Sequence, residues 1–186
     1  MDVPAGVRVV QCATAFPYTA ADFLSFAAAR PGLALEAIGR SERGRPVLRG
    51  AVTSKSRKHT LILTARSHAC ESMASFVMEG VVDAWLNGTG SLAEARREKI
   101  DLNVVPFIDP DGVEEGLQGK NRSPHDHNRD WTDQPIYASV RALETYLRST
   151  IDAQTILFDL HCPWIRDGRN ETLFFCGLHE PMQSEL

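Results

Sequence analysis

The chain has 186 residues, a length that predicts one domain able to bury its own core. Hydrophobic residues make up 43% and charged residues 24%, which excludes a disordered or collagen-like polymer. A net charge of −4 gives no bulk attraction to nucleic acid or to an anionic membrane, and no apolar run nears the ~20 residues that span a bilayer. Neither nucleic acid nor membrane is therefore expected as a partner. Cys12, Cys70, Cys162 and Cys176 are widely spaced, with no Cys-x-x-Cys pair, and the N-terminus shows no basic start and long apolar stretch. Both features point to a cytoplasmic protein with reduced thiols.

In chain order, Thr19 to Asp22 opens a helical pattern that runs to about Arg30 and stops at Pro31-Gly32. Residues 33–38 and 47–52 read as strands joined by Ser41-Glu42-Arg43-Gly44-Arg45-Pro46, a hairpin. Residues 60–65 form a continuous β-prone run, as in a strand buried on both faces. A helix over about 69–86 ends at Asn87-Gly88, and a short charged helix follows over 91–99. A second buried strand over 101–108 closes at Asp109-Pro110-Asp111-Gly112. The segment 114–132 is irregular, 134–150 is an amphipathic helix, and 155–160 is a third buried strand ending at His161. Buried strands alternating with helices predict an α/β fold of three layers, a mixed and mostly parallel sheet with helices on both faces.

Polar residues stand just past the ends of three of these strands: His68 and Glu71, Asp109 and Asp111, and His161. In open α/β sheets ligands bind at that edge. His68 and Glu71 are three apart, so on a first helical turn an imidazole and a carboxylate converge. With His161 they make two imidazoles and one carboxylate, the ligand set of a catalytic zinc site that keeps a fourth position open. The segment from Gly119 to Trp131 packs three strong cations among His, Asp and Asn, a density suited to gripping a carboxylate. Within it His125 and His127 are a second candidate metal pair, and a solvated loop with internal ion pairs is the plain alternative.

In this order the pieces resemble the zinc carboxypeptidases of the M14 (carboxypeptidase A-like) family, in the style of its bacterial and cytosolic branch. The resemblance rests on Ser41-Glu42-Arg43-Gly44-Arg45-Pro46, His68-x-x-Glu71, Asp109-Pro110-Asp111-Gly112-Val113-Glu114, Asn128-Arg129-Asp130-Trp131 and Asp159-Leu160-His161. It implies that His68, Glu71 and His161 ligate Zn2+, and that Asn128 and Arg129 grip the substrate's terminal carboxylate. It further implies that Arg122 polarises the scissile carbonyl and stabilises the oxyanion, and that Asp126 orients the first zinc imidazole. The implied substrate is a peptide or protein C-terminus, cleaved by water activated at the zinc. Three residues depart from the family pattern: Cys70 inside the first motif, where packing into the core is expected, and His127 and Cys162 where the family has other residues.

Members of the family usually continue much further past the last histidine, and that region carries the general-base glutamate. Glu171, Glu180 and Glu185 follow His161 here, but no strand pattern brings any of them to the metal, so the base stays unassigned. The expectation is a single zinc carboxypeptidase-like catalytic domain over residues 1–186, lacking its C-terminal part. Two alternatives remain open: a non-catalytic module that binds zinc or carboxylates, and an amidohydrolase acting on a small N-acyl amino acid.

Overall fold

The β-prone runs pair into one five-stranded sheet in the order β1-β2-β4-β3-β5. The computed structural model describes residues 6–162 apart from 9, 11 and 14. Its elements are α1 (Ala20–Ala28), β1 (Ala34–Arg40), β2 (Pro46–Val52), β3 (His59–Ala65), α2 (Met73–Asn87), α3 (Ser91–Lys99), β4 (Ile100–Val105), α4 (Pro110–Glu115), α5 (Ala138–Thr150) and β5 (Thr155–Leu160). The predicted hairpin forms, with β1 antiparallel to β2 and Arg40 opposite Pro46. β2 joins β4 antiparallel, and β3 lies parallel to both β4 and β5. The sheet is therefore mixed, its parallel half made by strands reached through helical crossovers.

Period-2 alternation sends successive residues to opposite faces. Leu63, Leu102 and Val104 pack with Phe23 of α1 and Met78, Val82 and Trp85 of α2. Ile62 and Val105 face the other way, onto Val140, Leu143 and Leu147 of α5. Helices thus cover both faces, and the three-layer arrangement predicted from the sequence is present.

Two helix starts and the burial of one strand differ from expectation. The helix expected from residue 69 begins at Met73, because the backbone before it is already engaged: Cys70 N donates to Gln118 O (3.2 Å) and the Arg66 guanidinium donates to Ala69 O. The helix expected from 134 begins at Ala138, because Asp130 accepts from Ile136 N (3.0 Å) and Tyr137 N (2.8 Å) and holds that stretch extended. The strand expected over 155–160 forms, but it is not buried. Among the described residues it pairs with β3 alone, and Ile156 is 59% exposed. A β-rich apolar run reports strand propensity; it does not report how many neighbours the strand will have.

Candidate metal centre

At the exit of β3 the chain turns through Arg66, a non-glycine residue at φ 62°. That conformation costs about 1–2 kcal/mol, and the buried guanidinium offsets it. Arg66 Nε donates to Ala69 O (3.0 Å), and Nη1 donates to Ser75 Oγ (2.9 Å) and Tyr18 O (3.3 Å). Arg66 O also accepts from Asp109 N (3.1 Å), tying the exits of β3 and β4 together. The loop after β3 is therefore fixed from both sides, and it presents His68 and Glu71.

Glu71 is the hub. His68 Nδ1 lies 3.0 Å from Oε1, and His161 Nδ1 lies 3.0 Å from Oε2. Cys162 N donates to Oε2 (3.2 Å) and Lys120 Nζ stands 2.8 Å from Oε1. The ligand atoms of His68, Glu71 and His161 all fall within 4.8 Å of one another. Burial alone would raise the Glu71 pKa, but hydrogen bonds from His161 and Lys120 outweigh it and hold the carboxyl at about 2. His161 is pushed up to about 10 by its hydrogen bonds to Asp159 and Glu71, against the opposing effect of burial. Ligating a cation requires the neutral ring, so cation binding and proton release are linked at this residue.

Both imidazoles turn Nδ1 toward Glu71 and Nε2 toward another carboxylate. His68 Nε2 is 3.7 Å from Asp126 Oδ1, and His161 Nε2 is 2.8 Å from Asp159 Oδ2. Asp159 is itself held by Thr64 Oγ1 at 2.7 Å. Carboxylates behind metal-binding imidazoles fix the tautomer and ring orientation. Two like-oriented imidazole nitrogens and one carboxylate, at the strand-end edge, fit a divalent ion of zinc's preferences.

Arg122, His125, Asp126, His127, Asn128 and Arg129 lie on the loop facing this group. Asp126 caps a single 3-10 turn, His127–Arg129, accepting from Arg129 N at 3.1 Å, and its other oxygen pairs with Arg129 Nη1 at 2.6 Å. Arg129 is largely exposed and Asn128 is half-buried. Arg122 Nη2 pairs with the buried Asp109 at the end of β4. A Cβ at Gly112 would collide with that Asp109–Arg122 pair, which accounts for the glycine of the Pro-Asp-Gly motif. The alternative metal pair is not assembled. His127 stacks on Tyr137 (centroids 3.8 Å apart), and His125 Nε2 pairs with Asp130 Oδ1 at 2.6 Å. Glu171, Glu180 and Glu185 lie outside the described residues.

Sequence reasoning gave Lys120 and Asp159 no role of their own at this centre, although both lie in segments it singled out. Asp159 had a signal, a lone acid two residues before His161 in an apolar strand, where i and i+2 share a face. Lys120 had none, because its position depends on Gly119. That residue sits at φ +94°, and a Cβ on it would strike the backbone of Ala69. Gly119→Ala is accordingly expected to destabilise the fold by at least about 1 kcal/mol, read as a lower urea midpoint; an unchanged midpoint would show that the loop approach is slack.

The profile of the zinc carboxypeptidase family, peptidase M14, matches residues 21–155. Cytosolic carboxypeptidase 6 of Caenorhabditis elegans is 34% identical over 116 residues, 59% of this chain and 25% of its own length. Cytosolic carboxypeptidase 4 of Mus musculus is 30% identical over 126 residues, 65% of this chain and 11% of its own. A crystal structure of a metallo-carboxypeptidase from Burkholderia cenocepacia aligns with TM-score 0.68 at 25% identity, covering 79% of this chain and 42% of that one. The chain thus spans a quarter or less of the length of these two curated relatives and 42% of that solved structure. The matched stretch includes the β3 exit, the loop that faces it and most of the sheet, and on that ground the chain belongs to the zinc carboxypeptidase family.

Proposed function

We propose that the chain carries the metal centre of a zinc carboxypeptidase, acting on the C-terminal peptide bond of a peptide or protein. One observation carries this reading: His161 meets His68 and Glu71, the latter 90 residues before it, through Nδ1, a carboxylate and Nδ1. Zinc, when bound there, would polarise the scissile carbonyl and activate a water. Asp159, hydrogen-bonded to His161 Nε2, and Asp126, 3.7 Å from His68 Nε2, would keep the two imidazoles turned toward such an ion. Arg129 and Asn128 receive the substrate's free carboxylate and so place the last peptide bond over the centre. Arg122, held by Asp109, offers the rest of its fork to the charge that develops on the carbonyl oxygen. The names of the cytosolic carboxypeptidase relatives support a cytoplasmic location, and among the described residues no helix is long and apolar enough to cross a membrane.

Incubation of the zinc-loaded chain with a blocked dipeptide tests the reading. Release of the C-terminal amino acid supports it. Binding of the dipeptide without release supports instead the non-catalytic carboxylate-binding alternative. Arg129→Ala is expected to weaken dipeptide binding by on the order of 10- to 100-fold, the worth of a charge-assisted hydrogen bond. Calorimetry and metal analysis read this as higher Kd at unchanged zinc content; unchanged affinity would remove Arg129 from the substrate site.

A further inference from the structure

We propose that Lys120 is the chain's own counter-ion for Glu71, and that it sets how tightly the His68–Glu71–His161 group holds a divalent cation. This rests on the metal reading above. The ammonium stands 2.8 Å from Glu71 Oε1, the same oxygen that faces His68 Nδ1. A dication ligated by that carboxylate must share it with Lys120. The lysine then gives up the oxygen, or it stays as a like charge beside the ion, and either course weakens cation binding.

The ammonium's position is built by the backbone. Gly119, at φ +94°, brings its loop against Ala69 where a Cβ could not pass. Gln118 O accepts from Cys70 N (3.2 Å), fastening that loop to the one bearing Glu71. Gln118 Oε1 accepts from Lys120 N (2.8 Å), fixing the start of the lysine itself. A side chain 31% exposed, facing a carboxylate only 3% exposed, is placed to neutralise it. Glu71 is a buried acid that needs compensation. Lys120 supplies a positive charge from within the chain, and a metal ion would supply the same compensation from outside. The two are alternatives at one carboxylate, so removing the lysine should shift stability and affinity in opposite directions.

The test is a zinc titration of the full chain against a competing chromophoric chelator, paired with thermal denaturation in EDTA. Lys120→Met is expected to bind zinc more tightly by on the order of tenfold, to melt lower than wild type in EDTA, and to gain more in Tm on adding zinc. Lys120→Gln serves as a second neutral variant, and Lys120→Arg, which keeps the charge, should stay near wild type. A merely structural contact would lower stability and zinc affinity together. Zinc affinity unchanged or weakened in both neutral variants, with wild type binding normally, would overturn the proposal and leave the metal centre standing. Absence of zinc binding by wild type and variants alike would overturn the metal centre, and the proposal with it.

Discussion

His161→Ala is expected to empty the metal centre: zinc falls from about one equivalent per chain to a small fraction of that, while the far-UV circular dichroism spectrum is retained. The magnitude follows from a comparison. Losing a residue that only orients a metal ligand typically costs 10- to 100-fold in affinity. His161 is one of three groups whose donor atoms meet within 4.8 Å, so its loss should exceed about 100-fold. Asp159→Asn provides the internal scale. It keeps the ring's neighbour but removes the charge 2.8 Å from Nε2, and its effect belongs in the lower range. Equilibrium dialysis with metal analysis distinguishes the two. Full zinc retention by His161→Ala would show that the convergence at Glu71 is not a metal centre at all.

Asp111→Ala is expected to cost about 2–4 kcal/mol of stability, a large share of the 5–15 kcal/mol typical of a domain. Asp111 sits at the start of α4, 5% exposed, and bolts the β1–β2 hairpin to the end of β4. Its Oδ1 accepts from Ser41 Oγ (2.8 Å) and Arg45 Nη1 (2.7 Å), and its Oδ2 from Arg43 N (3.2 Å). Truncation leaves the buried Ser41 hydroxyl without its acceptor, and the partly exposed Arg45 turns to solvent at smaller cost. Burial works to raise the Asp111 pKa, yet hydrogen bonds from Arg45 and Ser41 hold it below its ordinary 3.8. The sign follows: a depressed carboxyl contributes fully above 3.8 and loses its contribution as pH falls toward the folded value. The gap between wild type and Asp111→Ala should therefore be flat from neutral pH to about pH 4 and close only in stronger acid. Urea midpoints across that range measure it; a gap below about 0.5 kcal/mol at neutral pH would reduce the hairpin bolt to an ordinary surface contact.

How far the sequence foretold this molecule depends on the kind of signal. The buried runs that became β3 and β4, the hairpin and both helical layers were legible because apolar runs, helical period and turn chemistry are local. The convergence of His68, Glu71 and His161 was legible because strand ends in an α/β sheet share one edge. The start of α2 was not, since Cys70 N bonds to a carbonyl 48 positions away in the chain, on Gln118. Nor was the exposure of β5, because an apolar hexapeptide reads the same in the middle of a sheet as at its border. Lys120 is the clearest case: a left-handed glycine, one cross-loop hydrogen bond and one local hydrogen bond place it, and none of these leaves a periodic trace.

Two of the three converging side chains hang from the loop that leaves β3, a strand flanked on both sides, and the third hangs from β5, bonded to β3 alone among the described residues. An ion gripped by all three would act as a rivet between an interior strand of the sheet and a strand with one described neighbour. Local fraying of β5 would carry His161 away without melting the layers behind it. The lifetime of the bound ion would then be governed by the opening of that one strand, and the melting temperature of the whole protein would be a poor guide to how long the metal stays.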